Sequence, residues 1–214
     1  MKKLTTLLFA VTLLVGFSSV TMAQSSDEAT ISANANVVDD IVVGNEVQDL
    51  EFNNILVNSA KFIDAEDGTV DASATGTAGT DDGITGGETR GYFSIEIAEG
   101  VEVNVELTVP SNLKDDSNNT LEIDFDESGI DDETGNLNGL LTEDEPTGTE
   151  SVSAITGGEG DDFTYDNGEW TLDNVEMPKS GKVYLALGGE VSATIDQQSG
   201  SYEGDITLTA TVAN

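Results

Sequence analysis

The sequence predicts an all-β protein: an antiparallel, immunoglobulin-like β-sandwich with long acidic loops. Three observations carry that expectation. Apolar residues alternate with polar ones over many short stretches, the period of a half-buried strand. Turn-forming Gly, Asn and Asp separate those stretches. Beyond the first 23 residues no stretch of ten or more shows a helical period, and this run of short strands and turns is the pattern of a Greek-key sandwich.

The closing stretch, Val183 to Asn214, shows the alternation most clearly. Val183, Leu185, Leu187, Val191, Ala193 and Ile195 share odd positions. After the polar run Asp196 to Ser201, Tyr202, Ile206, Leu208, Ala210 and Val212 share even ones, so the segment reads as a closing β-hairpin.

From the other end, residues 1–23 read as a cleavable signal peptide: Lys2 and Lys3, an apolar run from Leu7 to Phe17, and a small-residue site ending at Ala23. The apolar run is shorter than the roughly 20 residues of a membrane span. Lipid attachment of the bacterial kind is not expected, because the chain has no cysteine. Residues 24–214 then form a single sandwich domain that stands without disulfides.

Within that domain Ala29 to Val37 alternates as a first strand. Ile41 to Val43 leads through Gly44-Asn45 into Val47 to Val57, with Leu50, Phe52 and Leu56 toward the core, and 61–64 with 68–74 suggests a short strand pair. The glycine-rich stretch from Thr75 to Arg90 reads as a long surface loop. Phe93 to Ile97, a turn at Ala98-Glu99-Gly100, and Val101 to Val109 read as a central hairpin that Pro110 ends. Leu121, Ile123 and Phe125 make a further strand, an acidic insert over 127–150 reads as a loop, and Ser151 to Ile155 returns to the sheet. Asn167-Gly168 is the sequence of a type I′ turn, pairing Tyr165 with Trp170 and Phe163 with Leu172 on one face.

Charge narrows the function classes. The chain carries 42 acidic against 7 basic residues, a formal net charge of −35, and two of the basic residues lie in the leader. Such a surface repels nucleic acid and anionic membranes alike, so neither nucleic-acid binding nor membrane insertion after leader removal is expected. It suits a salty habitat, where ions screen self-repulsion. With no histidine and no cysteine, nucleophilic triads and the usual zinc sites are unavailable, and no catalytic residue is assigned.

Calcium is the one metal the composition invites, because hard cations take clustered oxygen ligands. Two stretches match a calcium loop in part. Asp124, Asp126, Ser128 and Gly129 supply its first half, but Gly135 sits where a bidentate acid belongs; Thr134, Asn136, Asn138, Gly139 and Glu145 supply the second half, with threonine at the opening ligand. The competing reading of both is an acidic, soluble loop, and no metal or cofactor site is assigned.

Leu50-Glu51-Phe52-Asn53 after the first strand, Leu185-Ala186-Leu187-Gly188-Gly189, and Tyr202-Glu203-Gly204 occur in an order that resembles a bacterial family catalogued as domain of unknown function 4402, itself similar to spore coat protein U and chaperone–usher pilin sandwiches. Asn53 stands where that family has glycine. The resemblance implies an exported, pilin-like sandwich of the cell surface or periplasm, a fibre subunit that associates with itself or with a surface protein by strand addition. The alternative expectation is a secreted calcium- or carbohydrate-binding module.

Overall fold

Thirteen strands follow one another in the computed structural model, which describes residues 41–74, 86–126 and 136–213. They are β1 (Val42–Gln48), β2 (Ser59–Ile63), β3 (Val70–Ala74), β4 (Gly91–Glu96), β5 (Glu102–Thr108), β6 (Asn112–Lys114), β7 (Thr120–Asp124), β8 (Gly139–Thr142), β9 (Thr164–Asp166), β10 (Glu169–Glu176), β11 (Lys182–Leu187), β12 (Gly189–Ala193) and β13 (Thr207–Val212). Among the described residues the one helical element is a 3₁₀ turn, Gly160–Asp162. The leader and the strand expected over Ala29 to Val37 lie outside the described residues, as do 75–85 and 127–135.

The strands form three antiparallel sheets, ordered β1-β4-β11-β8, β13-β5-β10-β9 and β3-β2-β12-β7-β6. All three turn one apolar face to a common core in which Ile63, Ile95, Val103, Leu107, Leu141, Val183, Leu185 and Val191 are buried. Each such side chain contributes on the order of 1.5–3 kcal/mol of transfer free energy before the entropy of ordering is subtracted. The all-β expectation therefore holds, with an arrangement that fits a β-sandwich.

Two expected hairpins are not hairpins. The turn at Ala98-Glu99-Gly100 forms, with Val101 N–H donating to Ala98 O and Gly100 at φ +73°, but β4 pairs with β1 and β11 while β5 pairs with β13 and β10. Ile97 N–H donates to Gly181 O and Gly100 N–H to Met177 O, so this turn lies against the β10–β11 connection and both cross from sheet to sheet. The apolar faces of β4 and β5 serve the same core from opposite sheets, and alternation alone does not distinguish that from side-by-side pairing.

The closing segment departs further. Its first half passes from one sheet to another at Gly188, since β11 pairs with β4 and β8 whereas β12 pairs with β2 and β7. A side chain at Gly188 would run into Ile63 O and Ala65 N, so only glycine lets the strand turn this corner. Its second half, β13, pairs with β5. On the β5–β6 side the corner is Pro110, and opposite it a Cβ at Gly204 would lie 3.1 Å from Pro110 Cγ. Ile195, expected in the core, is 72% exposed beyond the end of β12.

Smaller differences have equally local causes. Val42 to Gln48 form one bulged strand, β1, with Gly44 at φ +73° near the register shift between Val43 and Val47; the rest of the second apolar group lies beyond it, where Phe52 is buried, Leu50 packs at the margin of the core and Leu56 is exposed. The acidic insert is not all loop, because its apolar residues Leu137, Leu140 and Leu141 build β8 and its approach. Ser151 to Ile155 returns only as a bridge from Ala154 to Thr142. The 61–64 and 68–74 pair forms as β2 and β3, the Leu121-Ile123-Phe125 strand as β7, and Asn167-Gly168 as the two-residue turn of β9 and β10, at φ +55° and +90°. Phe163, Trp170 and Leu172 are buried there, whereas Tyr165 is 53% exposed.

Candidate interaction edge

Among the described residues, β13 carries the least guarded sheet edge. Ala213 N–H donates to Glu102 O, and the register from Thr207↔Thr108 to Val212↔Val103 keeps the same parity along the ladder. Thr207, Thr209 and Thr211 therefore direct their N–H and C=O groups to β5, and Leu208, Ala210 and Val212 direct theirs outward. Among the described residues no strand pairs with that outward side. Leu208, Ala210 and Val212 are only half-buried against the core, whereas Val103, Val105 and Leu107 on the neighbouring β5 are buried. From Ile206 to Asn214 there is no charged residue, in a chain with 42 acids.

The other sheet edges are protected in recognisable ways. β8 is covered: Leu141 N–H donates to Gly158 O, and Ile155 N–H donates back to Leu141 O. β6 is bridged by Glu203 at Lys114. β1 is bulged and carries Glu46, β9 is three residues long and ends in Asp166, and β3 carries Asp71.

Buried polar groups hold the loops around this frame. Arg90, the sole arginine of the chain, is 1% exposed. Its Nε donates to Pro146 O at 2.9 Å, Nη1 to Ala65 O at 2.9 Å and Glu66 O at 2.6 Å, and Nη2 to Glu150 O at 2.8 Å. The planar fork satisfies four backbone carbonyls at once, which a lysine cannot do. This clamp presses 143–155 onto the outer face of the β1-β4-β11-β8 sheet, where Leu140, Ala186 and Val152 form a second small cluster. Both faces of β11 are consequently buried, so strict alternation fails there.

On that same face Tyr92 and Tyr184 meet edge to face, ring centroids 5.7 Å apart. Tyr92 Oη donates to Glu145 Oε1 at 2.7 Å and Tyr184 Oη to Glu46 Oε2 at 2.6 Å; Lys182 pairs with Glu46 at 2.7 Å and with Glu96 at 3.3 Å. Burial, then the bond to Glu145, pushes the Tyr92 phenol up to about 12, and burial followed by Glu46 raises Tyr184. The ammonium of Lys182, then the phenol of Tyr184, hold Glu46 below the usual carboxylate range.

The partial calcium loops are described only in part. Ser128, Gly129, Thr134 and Gly135 lie outside the described residues. Asp124 Oδ1 accepts the N–H of Asp126, and Asp126 is buried beside its bridge to Leu137. The Asn138 amide is engaged internally, its Nδ2 donating to Ile63 O at 2.9 Å and its Oδ1 accepting from Ala65 N–H at 3.0 Å. Gly139 opens β8, and Glu145 accepts from Tyr92. Asn136 and Asn138 do line a cleft of about 470 Å³, with Asp64, Glu66, Glu159 and Asp161 around it. Among the described residues no three acidic side chains gather closely enough to hold a metal ion.

Arg90 and Lys61 are two of the few cations of an acidic chain, and nothing in the sequence placed them inside the protein. No family model matches the chain, and no curated protein matches it.

Proposed function

We propose that this is an exported, non-catalytic structural or interaction protein of the bacterial cell surface, engaged by strand addition at β13. The open, uncharged β13 edge carries the reading. An exposed strand edge is a template for another strand, and natural proteins guard such edges with charge, bulges or cover unless pairing is wanted. The signal-peptide pattern at 1–23 and the resemblance to pilin-like sandwiches support the same role.

A photo-crosslinker placed at Thr209 in living cells tests it. The expected result is a cross-linked adduct in the surface or periplasmic fraction, formed with another copy or with a different surface protein. Retention of the uncleaved chain in the cytoplasm, or an exported chain that gives no adduct, would overturn the proposal.

A further inference from the structure

We infer that the strand added to β13 is the β13 of a second copy, running antiparallel about a two-fold axis at Ala210 and joining two β13-β5-β10-β9 sheets into one of eight strands. This rests on the strand-addition reading and names its partner.

The parity of the edge selects which residues pair across it. Leu208, Ala210 and Val212 present N–H and C=O groups that no described strand takes up, so they must form the hydrogen-bonded pairs across the new ladder. Centring on Ala210 gives Ala210 opposite Ala210 and Leu208 opposite Val212 of the second copy, with small side chains at the axis and aliphatic pairs on either side. On the outer face the same register sets Thr209 opposite Thr211, a favourable cross-strand pair. The edge is complementary to itself, as an isologous interface requires. Pairing also extends the sheet over Leu208, Ala210 and Val212, which one chain leaves half-covered.

Electrostatics favours this edge over any other for contact between two copies of so acidic a chain. β13 has no charge, and the nearest acid on its outer face is Glu106, opposite Thr209 on β5. Across the dimer the Glu106 rows stand three strand spacings apart, roughly 14 Å. That exceeds the Debye length of about 8 Å at physiological ionic strength and far exceeds the ~3 Å at 1 M. Association should therefore strengthen with salt.

The test uses protein expressed from the full sequence and purified from the exported fraction, examined by sedimentation velocity over a concentration series in 0.15 M and 1 M NaCl. A monomer–dimer equilibrium that tightens with salt is expected, without higher oligomers, because a two-fold pairing closes on itself. Ala210→Pro removes an outward N–H while leaving every bond to β5, and should weaken the dimer about tenfold or more, at two hydrogen bonds per dimer. Circular dichroism confirms that the variant is folded. Register is read by disulfides, since the chain has no cysteine of its own: mixing Thr209→Cys with Thr211→Cys protein should give a cross-linked dimer on mild oxidation, and either variant alone should not.

A monomer at every concentration and ionic strength, a dimer indifferent to Ala210→Pro, or disulfides within a single-variant sample would each overturn the inference. A monomer whose Thr209 nonetheless cross-links to a different surface protein in cells would sink the self-pairing and leave the strand-addition reading standing.

Discussion

Lys61 Nζ lies 2.6 Å from Glu88 Oε1, with the two side chains only 3% and 4% exposed. The same ammonium donates to Phe52 O at 3.0 Å and Asn54 O at 2.8 Å, fastening the β1–β2 connection to the segment that precedes β4. A buried pair contributes little compared with an apolar one, but removing one partner strands a charge.

Glu88→Gln and Lys61→Met are each expected to lower stability by about 3–5 kcal/mol, and the double substitution Lys61→Met with Glu88→Leu by markedly less. Denaturant unfolding checks this, and equal losses in all three variants would contradict it. Burial raises the Glu88 carboxyl, but the bond from Lys61 and the backbone N–H of Gly86 outweigh it, and the net position is below the ordinary 4.5. A lowered carboxylate contributes stability that is complete above its unfolded value and lost as pH falls through the folded one. The pair's contribution should therefore be constant above about pH 4.5 and vanish below it, a step that Lys61→Met/Glu88→Leu lacks.

Arg90→Lys should release the 143–155 segment. One ammonium cannot reach Pro146, Ala65, Glu66 and Glu150 carbonyls together, and bonds to a charged donor are worth roughly 1.5–3 kcal/mol each. Hydrogen exchange at the Val152 amide, which donates to Glu66 O, is expected to speed up at least tenfold while exchange in β5 barely changes. Uniform acceleration throughout the chain would show a global role instead.

Alkaline pH addresses Tyr92. With its folded value near 12 against an ordinary 10, the neutral phenol is favoured by the fold. Its contribution is complete below pH 10 and is lost as pH rises toward 12. Tyr92→Phe should move the alkaline unfolding midpoint upward, at a cost of about 1 kcal/mol at neutral pH for the lost bond to Glu145. An unchanged alkaline midpoint would remove Tyr92 as a cause.

Two glycines separate strain from collision. Gly168 sits at φ +90° with open space where a Cβ would go, so Gly168→Ala should cost only the 1–2 kcal/mol, approximately, of a left-handed residue. Gly188→Ala drives its methyl into the backbone of Ile63 and Ala65 and should abolish soluble, folded protein. Comparable thermal midpoints for the two variants would refute this account of the corner.

Alternation determined, from the sequence by itself, that this chain makes strands, and turn chemistry determined the hairpins whose information is local: Asn167-Gly168 between β9 and β10, and the return from β2 to β3. Both depend on a few adjacent residues, so they are readable before any tertiary contact exists. Partner choice depends on residues far apart. Apolar alternation says that Phe93 to Ile97 and Val101 to Val109 each face a core, but only the assembled core decided that they face it from opposite sheets. Likewise the odd-position alternation runs on through Gly188-Gly189, and the nearness of Ile63 made that point a corner between sheets. The candidate edge divides the same way. Its lack of charge is written in residues 206–214, whereas its being the unpaired side of β13 follows from which strand took up β5. Burial of Arg90 and Lys61 was likewise a tertiary decision, since a cation is placed inside only where backbone carbonyls or an acid converge to replace its water.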